Sequence, residues 1–167
     1  MASALNIFQD LTANKDNIKG AFVLVNFRLA HLLRKSLITF ILFFPYFILY
    51  RVLIEWFLGV ELPWKTNVGA SFRIDHGQGL IINDGTVFGR GCTVRNNTTI
   101  GNKRLASGSY SRSPIIGNDV DVGANAVIIG PINIGNNVSI GAAAVVVKDV
   151  PDNSIVVGNP GRVISKS

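Results

Sequence analysis

The chain has 167 residues, 48% of them hydrophobic, and a formal net charge of +6, a size that suits one domain with an appendage. The basic residues are spread over both halves of the chain and do not alternate with aromatic ones, so nucleic-acid binding is not indicated. A phosphorylated cofactor or an anionic lipid surface explains the charge as well. The single cysteine, Cys92, excludes an internal disulfide.

Residues 1–60 are predicted to form a helical region. Residues 1–16 have a mixed composition that suits a short helix, and a mostly apolar helical pattern follows from Asn17 to Lys35. His31 lies in this pattern among apolar neighbours, which favours a structural role for its ring. The sequence does not begin with the basic-then-apolar order of a secretory signal, so the expected location is the cytoplasm.

The run at 37–58 is the most hydrophobic part of the chain. Ser36 is suited to cap a helix here, and Pro45 would bend that helix. Lys35 and Arg51 bracket only fifteen residues without a charge, whereas a transmembrane helix needs about twenty apolar residues. Three alternatives stay open: burial against the rest of the chain or a partner subunit, shallow insertion at the inner face of a membrane, and a true span.

Residues 61–150 carry a repeat of six residues. A large apolar side chain recurs at this spacing in two runs: Ile82, Phe88, Val94, Ile100, and then Ile116, Val122, Ile128, Ile134, Ile140, Val146. A smaller residue lies four positions after most of these, and Cys92 occupies one such position, which predicts a packed structural thiol. A period of six matches neither an α-helix nor an alternating strand. It is typical of short strands joined by tight corners, so the repeat predicts a β-helix of stacked coils.

Two irregularities interrupt the repeat. The segment 75–79, DHGQG, inserts two residues into the spacing and carries His76. The polar segment 102–114 predicts a mobile loop outside the coil, and a long loop in a regular solenoid is commonly a binding element. Residues 151–167 are predicted to cap the open end of the β-helix, where strand edges would otherwise be exposed.

The residues that could carry catalysis are few. With two histidines, a three-histidine zinc site cannot form within one chain, and no metal is expected. A single exposed histidine such as His76, oriented by a carboxylate, is suited to general base catalysis. Asp75 and Glu61 are the candidate partners. Glu61 is favoured because adjacent side chains on an extended segment point apart, whereas fifteen residues are close to the eighteen of one coil of three hexads.

The sequence VELPWKTNVGASFRIDHGQGLIIND resembles the first coil of serine acetyltransferases and of their exopolysaccharide relatives. The resemblance implies a left-handed parallel β-helix, preceded here by a small α-helical region, with acetyl-CoA as the acetyl donor. It pairs His76 with the acid fifteen residues earlier, where Glu61 replaces the aspartate of the family. It also implies that Asp75 and Asp84 contact the acceptor substrate.

The segment from PIIG to GNPGRVI resembles the coenzyme A-binding coils of the same family. On that similarity Ala124 and Ala142 would line the path of the pantetheine arm. Lys148 and Arg162 would contact the phosphates, for which basic side chains are suited. Simple packing of small residues explains the two alanines as well.

The RHP element of serine acetyltransferases, whose histidine helps to hold the amino acid, reads Arg112-Ser113-Pro114 here. This departure and the short hydrophobic N-terminal region resemble the colanic-acid and capsule-type O-acetyltransferases. The resemblance therefore implies acetylation of a hydroxyl on a sugar or lipid-linked saccharide in exopolysaccharide biosynthesis, with Arg112 at the substrate. It also implies direct transfer without an acyl-enzyme, and homotrimers with sites between subunits. A serine O-acetyltransferase, a non-catalytic β-helix scaffold and a metal-dependent lyase stay open as alternatives.

Overall fold

The computed structural model describes residues 6–165 and begins with a helical region. Its elements are a 3-10 turn at Thr12–Asn14, α1 (Ile18–Leu33), α2 (Leu37–Leu42), α3 (Phe44–Tyr50) and a π-helix at Arg51–Phe57. The short helix predicted for residues 1–16 lies partly outside the described residues, and residues 6–16 form turns rather than an α-helix. Within the described chain, no helix is long and apolar enough to cross a membrane.

Local chemistry sets the boundaries of the helices. The side chain of Asn17 accepts a hydrogen bond from the Gly20 N–H at 3.0 Å and caps α1. Ser36 occupies the predicted N-cap position of α2, but its hydroxyl makes no capping bond. Where the sequence predicts a bend at Pro45, the structure has a break: α2 ends at Leu42, and α3 begins at Phe44 with the proline in its first turn, where no N–H is needed.

The described chain continues with fifteen short strands. They are β1 (Val60–Glu61), β2 (Asn67–Val68), β3 (Arg73–Asp75), β4 (Leu80–Ile82), β5 (Val87–Phe88), β6 (Thr93–Arg95), β7 (Thr99–Gly101), β8 (Ile115–Ile116), β9 (Asp121–Val122), β10 (Val127–Ile129), β11 (Asn133–Ile134), β12 (Ser139–Ile140), β13 (Val145–Val146), β14 (Ser154–Val157) and β15 (Arg162–Ser165).

The strands form three sheets, one on each face of a prism. Face A contains β1, β4, β7, β10 and β13; face B contains β2, β5, β8 and β11; face C contains β3, β6, β9, β12, β14 and β15. The chain passes from A to B to C and returns to A, so that successive coils stack strand on strand. The predicted fold class, a left-handed parallel β-helix preceded by a small α-helical region, is confirmed.

The register of the strands gives the length of each coil. Val60 pairs with Leu80, twenty residues further on, whereas Ile82 pairs with Ile100, eighteen residues further on. The two additional residues lie in 75–79, where the sequence predicts them. This segment therefore bulges from the corner at which face C turns into face A, which we name the C–A corner.

The interior of the coils is filled as the repeat predicts. The large apolar residue of every hexad is buried, and the smaller inward position holds fully buried residues such as Cys92, Thr98 and Ala126. Each buried aliphatic side chain contributes about 1.5–3 kcal/mol. The coils stack so closely that a Cβ on Gly117 would lie 2.7 Å from the carbonyl oxygen of Gly135.

Side chains of the N-terminal segment cover the free edge of face C. β3 is the first strand of this face. The Asp10 carboxylate accepts a hydrogen bond from the Phe72 N–H at 2.9 Å. Asn14 donates to the Phe72 carbonyl at 2.8 Å and accepts from the Ile74 N–H at 3.3 Å, and Asn17 donates to the Ile74 carbonyl at 2.5 Å. Three side chains thus take the place of a neighbouring strand.

Arg28 ties α1 to the first coil. Its guanidinium forms a buried ion pair with Asp10 at 2.7 Å. It also donates to the carbonyl oxygens of Val68 and Gly69, both at 2.6 Å. Buried charges are tolerated when they are paired and hydrogen-bonded, and both conditions are met here.

The other end of the β-helix is covered by the chain's own last strand. The short apolar segment 155–157 of the predicted cap lies within β14, which pairs in parallel with β12. β15 then runs back antiparallel along β14 after a turn at 158–161. No pattern in the sequence predicts this return, and residues 166–167 lie outside the described part of the chain.

The loop at 102–114 leaves the corner between faces A and B, which we name the A–B corner. Its backbone is hydrogen-bonded across a hairpin-like path: the Leu105 N–H donates to the Ser109 carbonyl at 2.8 Å, and the Ser111 N–H donates to the Lys103 carbonyl at 2.9 Å. These bonds give the loop a defined path outside the packed coil.

Candidate active site

His76 lies on the C–A corner, at the bulge that lengthens the first coil. Strand β3 ends at Asp75, and His76 then adopts a left-handed backbone conformation with φ +64°. Gly77 follows at φ +71°, a conformation that favours glycine, and a Cβ there would lie 2.9 Å from the Ile74 side chain. The His76 side chain is exposed, and its ring makes no hydrogen bond or ion pair with any described residue.

A ladder of alternating charges runs along face C beside His76. Arg73 donates to Asp75 at 2.8 Å and to Asp16 at 2.8 Å. Arg95, stacked on Asp75 in the next coil, lies 4.0 Å from its carboxylate and pairs with Asp121 on the other side. The hydrogen bond from Arg73 lowers the pKa of Asp16. The carboxylate next to the histidine is therefore held between two guanidinium groups.

This charge ladder borders a cavity of about 590 Å³ that His76 and Asp75 share with Arg73 and Gln78. The wall opposite the β-helix comes from 16–19, the segment that leads into α1. The N-terminal region thus shapes the space in front of the imidazole.

The roles of Arg73 and Arg95 are not predicted from the sequence, although a signal for Arg95 was present. A first coil of twenty residues stacks position 95 on position 75, which pairs Arg95 with Asp75. Arg73 and Asp16 are 57 residues apart, and Asp16 lies outside the repeat, so the spacing of the hexads could not predict their contact.

Glu61 lies on face A, away from the C–A corner. Its partner in the next coil is Ile81, twenty residues further on, and not His76. Among the described residues, no hydrogen bond joins the Glu61 carboxylate to the His76 ring, and the two side chains border different cavities. The sequence predicts that Glu61 stacks on His76 in the next coil. The two residues are only fifteen positions apart, whereas the bulge lengthens this coil to twenty residues.

The cavity that Glu61 borders has a volume of about 510 Å³ and also contains Asp84, Trp64 and Glu55. Burial raises the pKa of the Glu55 carboxyl, while Arg51, 3.1 Å away, opposes the shift. This second cavity lies between face A and the helical region.

Ala124 and Ala142 lie on the same corner as His76. The Ala143 N–H donates to the Ala124 carbonyl at 2.9 Å, and the Asn125 N–H donates to the Asn96 carbonyl at 3.1 Å, so these residues form one row along the C–A corner. Both alanines carry only a methyl group, and neither is buried.

The other predicted contacts are distributed over two edges. Arg162 begins β15, next to a turn whose Gly161 N–H donates to the Val145 carbonyl at 2.8 Å, near the upper end of the C–A corner. Lys148 is exposed after β13 and lies on the A–B corner. Asp84 and Arg112 also lie on the A–B corner, both exposed.

Comparisons with known proteins extend these observations. No family model matches the chain. The chain is 37% identical to the putative colanic acid biosynthesis acetyltransferase WcaB of Escherichia coli over 161 residues, covering 94% of this chain and 98% of that protein. It is 40% identical to the serine acetyltransferase of Mycobacterium tuberculosis over 109 residues, covering 65% of this chain and 47% of that relative. The crystal structure of serine acetyltransferase from Brucella abortus matches with a TM-score of 0.79 and 26% identity, covering 96% of this chain and 68% of that one.

Stacked hexapeptide coils and a match over nearly the whole length of a named acetyltransferase define the class of the protein. The chain is an acetyltransferase, an enzyme that takes its acyl group from acetyl-CoA. More particularly, it belongs to the serine acetyltransferase family of hexapeptide-repeat acyltransferases. Relatives that are named as enzymes do not favour the alternative of a non-catalytic scaffold.

Proposed function

We propose that the protein transfers an acetyl group from acetyl-CoA to a sugar hydroxyl, with His76 as the general base. The observation that carries this proposal is the exposed imidazole on the C–A corner, free of partners among the described residues and in line with the row of Ala124 and Ala142. A thioester laid along that row would bring its acyl carbon toward the imidazole.

The chemistry needs one proton carrier. The His76 imidazole takes the proton of the acceptor hydroxyl as its oxygen attacks the thioester carbonyl. The carbon–sulfur bond then breaks, and the imidazolium returns the proton to the departing thiolate of coenzyme A. Backbone N–H groups would stabilise the oxyanion, an effect worth about 3–4 kcal/mol in other enzymes. Transfer is direct, since neither serine nor cysteine lies beside His76 in the cavity that it borders.

We assign the remaining residues by position. Asp75, held by Arg73, contacts the acceptor, while Arg162 binds a phosphate of coenzyme A at the upper end of the C–A corner. Glu61 lies on face A, and Asp84, Arg112 and Lys148 lie on the A–B corner of the same chain. They complete the site if the chain forms a homotrimer in which the A–B corner of one subunit faces the C–A corner of the next.

In such a trimer Glu61 would orient His76 across a subunit boundary. The trimer is testable by light scattering after gel filtration, which should give three times the chain mass of 18.0 kDa. A monomer that catalyses at full rate would contradict this arrangement.

A saccharide is the acceptor that we favour. Ser113 stands where serine acetyltransferases carry the histidine of the RHP element, and its hydroxyl is engaged with Asn83 at 2.6 Å. A smaller side chain at this position leaves room for an acceptor larger than an amino acid. The relative named for colanic acid biosynthesis supports a role in exopolysaccharide or capsule formation. We place this reaction in the cytoplasm.

The test follows thiol release from acetyl-CoA with L-serine, free hexoses and lipid-linked saccharides as acceptors. The His76→Asn variant should lower kcat by about 10²–10⁴-fold while coenzyme A still binds in a calorimeter. His31→Asn is the matched control, because His31 is in the helical region, and it should retain activity. Full activity of His76→Asn would contradict the proposed base.

Serine O-acetylation is the second candidate, because the β-helix aligns with serine acetyltransferases over most of its length. Rapid, saturable thiol release with L-serine, and none with saccharides, would favour it. If serine is the acceptor, the proposed substrate changes, but the proposed role of His76 as general base does not.

A further inference from the structure

A second surface stands apart from the cavity of His76. It consists of the exposed large apolar side chains in 37–57, which we name the apolar face. These are Leu37, Ile38, Ile41, Leu42, Phe43, Phe44, Ile48, Leu49, Val52, Leu53, Trp56 and Phe57. Contiguous apolar surfaces of this kind mark interaction sites, because monomeric soluble proteins rarely expose them.

The apolar face is not covered by the β-helix. None of the six residues of α2 is buried, and α3 buries only Phe47 and Tyr50. The π-helix buries Ile54 alone. Burial against the rest of the chain, one of the alternatives for this run, therefore does not explain its composition.

The hydroxyl groups within the run already have partners in the same chain. The Thr39 hydroxyl donates to the Leu33 carbonyl at 2.5 Å. The Tyr46 hydroxyl contacts Asn26, and the Tyr50 hydroxyl donates to the Leu62 carbonyl at 2.6 Å. A protein interface typically forms about one hydrogen bond per 100–200 Å². This surface has few groups free to form them, whereas a lipid phase requires that polar groups be satisfied internally.

The charges around the apolar face are complementary to an anionic surface. Between 17 and 60 the chain carries five basic residues and one acidic residue, Glu55. Glu55 pairs with Arg51, and its side chain is only 13% exposed. Lys35 is exposed at the start of α2, and Arg51, 56% exposed, follows α3. Each basic residue near an anionic leaflet contributes about 1 kcal/mol to binding.

We propose that the apolar face docks shallowly into the surface of an anionic phospholipid bilayer, with its flanking basic residues at the headgroups. The interaction does not depend on the acetylation proposed above. It would hold the enzyme where a saccharide carried on lipid is accessible.

Trp56 provides an intrinsic probe of this docking. It is 73% exposed, and the other tryptophan, Trp64, packs against Phe47 with ring centroids 5.1 Å apart. The full chain is mixed with vesicles of phosphatidylcholine alone or with added phosphatidylglycerol, then floated in a density gradient. We expect flotation and a blue shift of Trp56 emission with the anionic vesicles, and weaker binding at high salt.

Two substitutions of the same kind separate the apolar face from other exposed residues. Leu42→Asn lies on the face, where the side chain is 69% exposed, and should weaken vesicle binding by about tenfold. Leu105→Asn, 40% exposed in the loop at 102–114, should bind as the wild type does. Lys35→Gln should weaken binding at low salt only. Far-UV circular dichroism checks that each variant is folded.

The proposal is overturned if the wild type does not float with anionic vesicles, or if Leu42→Asn floats as well as the wild type. It is also overturned if the chain self-associates, Leu42→Asn abolishes that association and vesicles do not bind, because the face would then cover a second copy. Vesicle binding needs no acetyl-CoA, so its failure is distinguishable from failure of the acetyl transfer.

Discussion

His76 depends on its backbone as much as on its neighbours. A non-glycine residue at positive φ costs about 1–2 kcal/mol, and the bulge at 75–79 places one at the corner beside the cavity. The neighbouring carboxylate of Asp75 is fixed by Arg73 rather than by the imidazole. Backbone geometry therefore exposes the imidazole, while the charge ladder orients the acid next to it.

The second histidine has a structural role. The Nδ1 atom of His31 lies 2.9 Å from the Trp64 carbonyl, and its ring packs on Phe27. Burial lowers the pKa of His31, and the positive charges of Arg34 and Lys35 add to this effect, while the Trp64 carbonyl opposes it. The neutral ring, donating from Nδ1, is the form that the fold accommodates.

A pH dependence of stability follows from His31. Between its ordinary pKa of 6.5 and the lowered value, the unfolded chain binds a proton that the folded chain does not. Stability therefore falls as pH decreases through that window, and is fully present above pH 6.5. Urea unfolding at pH 7.5 and pH 5.5 should show a smaller loss for His31→Asn than for the wild type. Glu55 is present in both proteins, so comparing the wild type with His31→Asn at each pH removes its contribution. An equal loss of stability in the two proteins would contradict the role assigned to His31.

At the scale of elements, the N-terminal segment functions as a cap. Asp10, Asn14 and Asn17 satisfy the outer backbone groups of Phe72 and β3. Arg28 satisfies the carbonyls at the end of β2, the outermost strand of face B. We propose the same three-part division as the sequence indicates: 1–60, 61–150 and 151–167. The first part is joined to the second by buried polar contacts as well as apolar ones.

Removing the Asp10 carboxylate should show how much these buried polar contacts contribute to stability. Asp10→Ala leaves Arg28 buried without its counter-charge and Phe72 N–H without an acceptor, so we expect a loss of about 3–5 kcal/mol in the free energy of unfolding. The measurement is urea unfolding followed by circular dichroism. Asp84→Ala, at an exposed carboxylate, should change stability by less than about 0.5 kcal/mol. Equal effects of the two substitutions would show that the cap contributes little.

How much of the structure the sequence predicts depends on whether a contact follows from the repeat. The hexads predict the coils, the corners and the bulge at 75–79, and they could have predicted the stacking of Asp75 on Arg95. They cannot predict the hydrogen bond between Asn14 and Phe72. Asn14 lies 58 residues before Phe72 and outside the repeat, so the spacing of the hexads gives no information about this contact. A count of eighteen residues per coil predicts that Glu61 stacks near position 79, whereas the bulge lengthens this coil to twenty residues and pairs Glu61 with Ile81.

Over the whole molecule, the core is one continuous column. Cys92 is fully buried in it, which confirms a packed thiol, and its sulfur donates to the Gly117 carbonyl at 3.1 Å. Burial raises the pKa of the Cys92 thiol to about 11. Any reagent that reaches this sulfur must first separate neighbouring coils.

Thiol labelling should therefore report global unfolding. At pH 8 only ~0.1% of a thiol with this pKa is thiolate, and the side chain is inaccessible, so a disulfide reagent should label Cys92 only at urea concentrations that unfold the chain. The labelling midpoint should coincide with that from circular dichroism. Rapid labelling without urea would indicate that the coils separate locally.

The two ends of the β-helix have a consequence beyond folding. At one end three side chains take the place of a strand, and at the other β15 returns antiparallel along β14. A parallel solenoid with bare ends could grow without limit, one molecule docking on the next along the axis like a fibril. Here three side chains occupy the outer edge of β3 at one end, and β15 pairs with β14 at the other. We therefore expect this protein to assemble through its flanks, as in a closed ring, rather than end to end as in a filament.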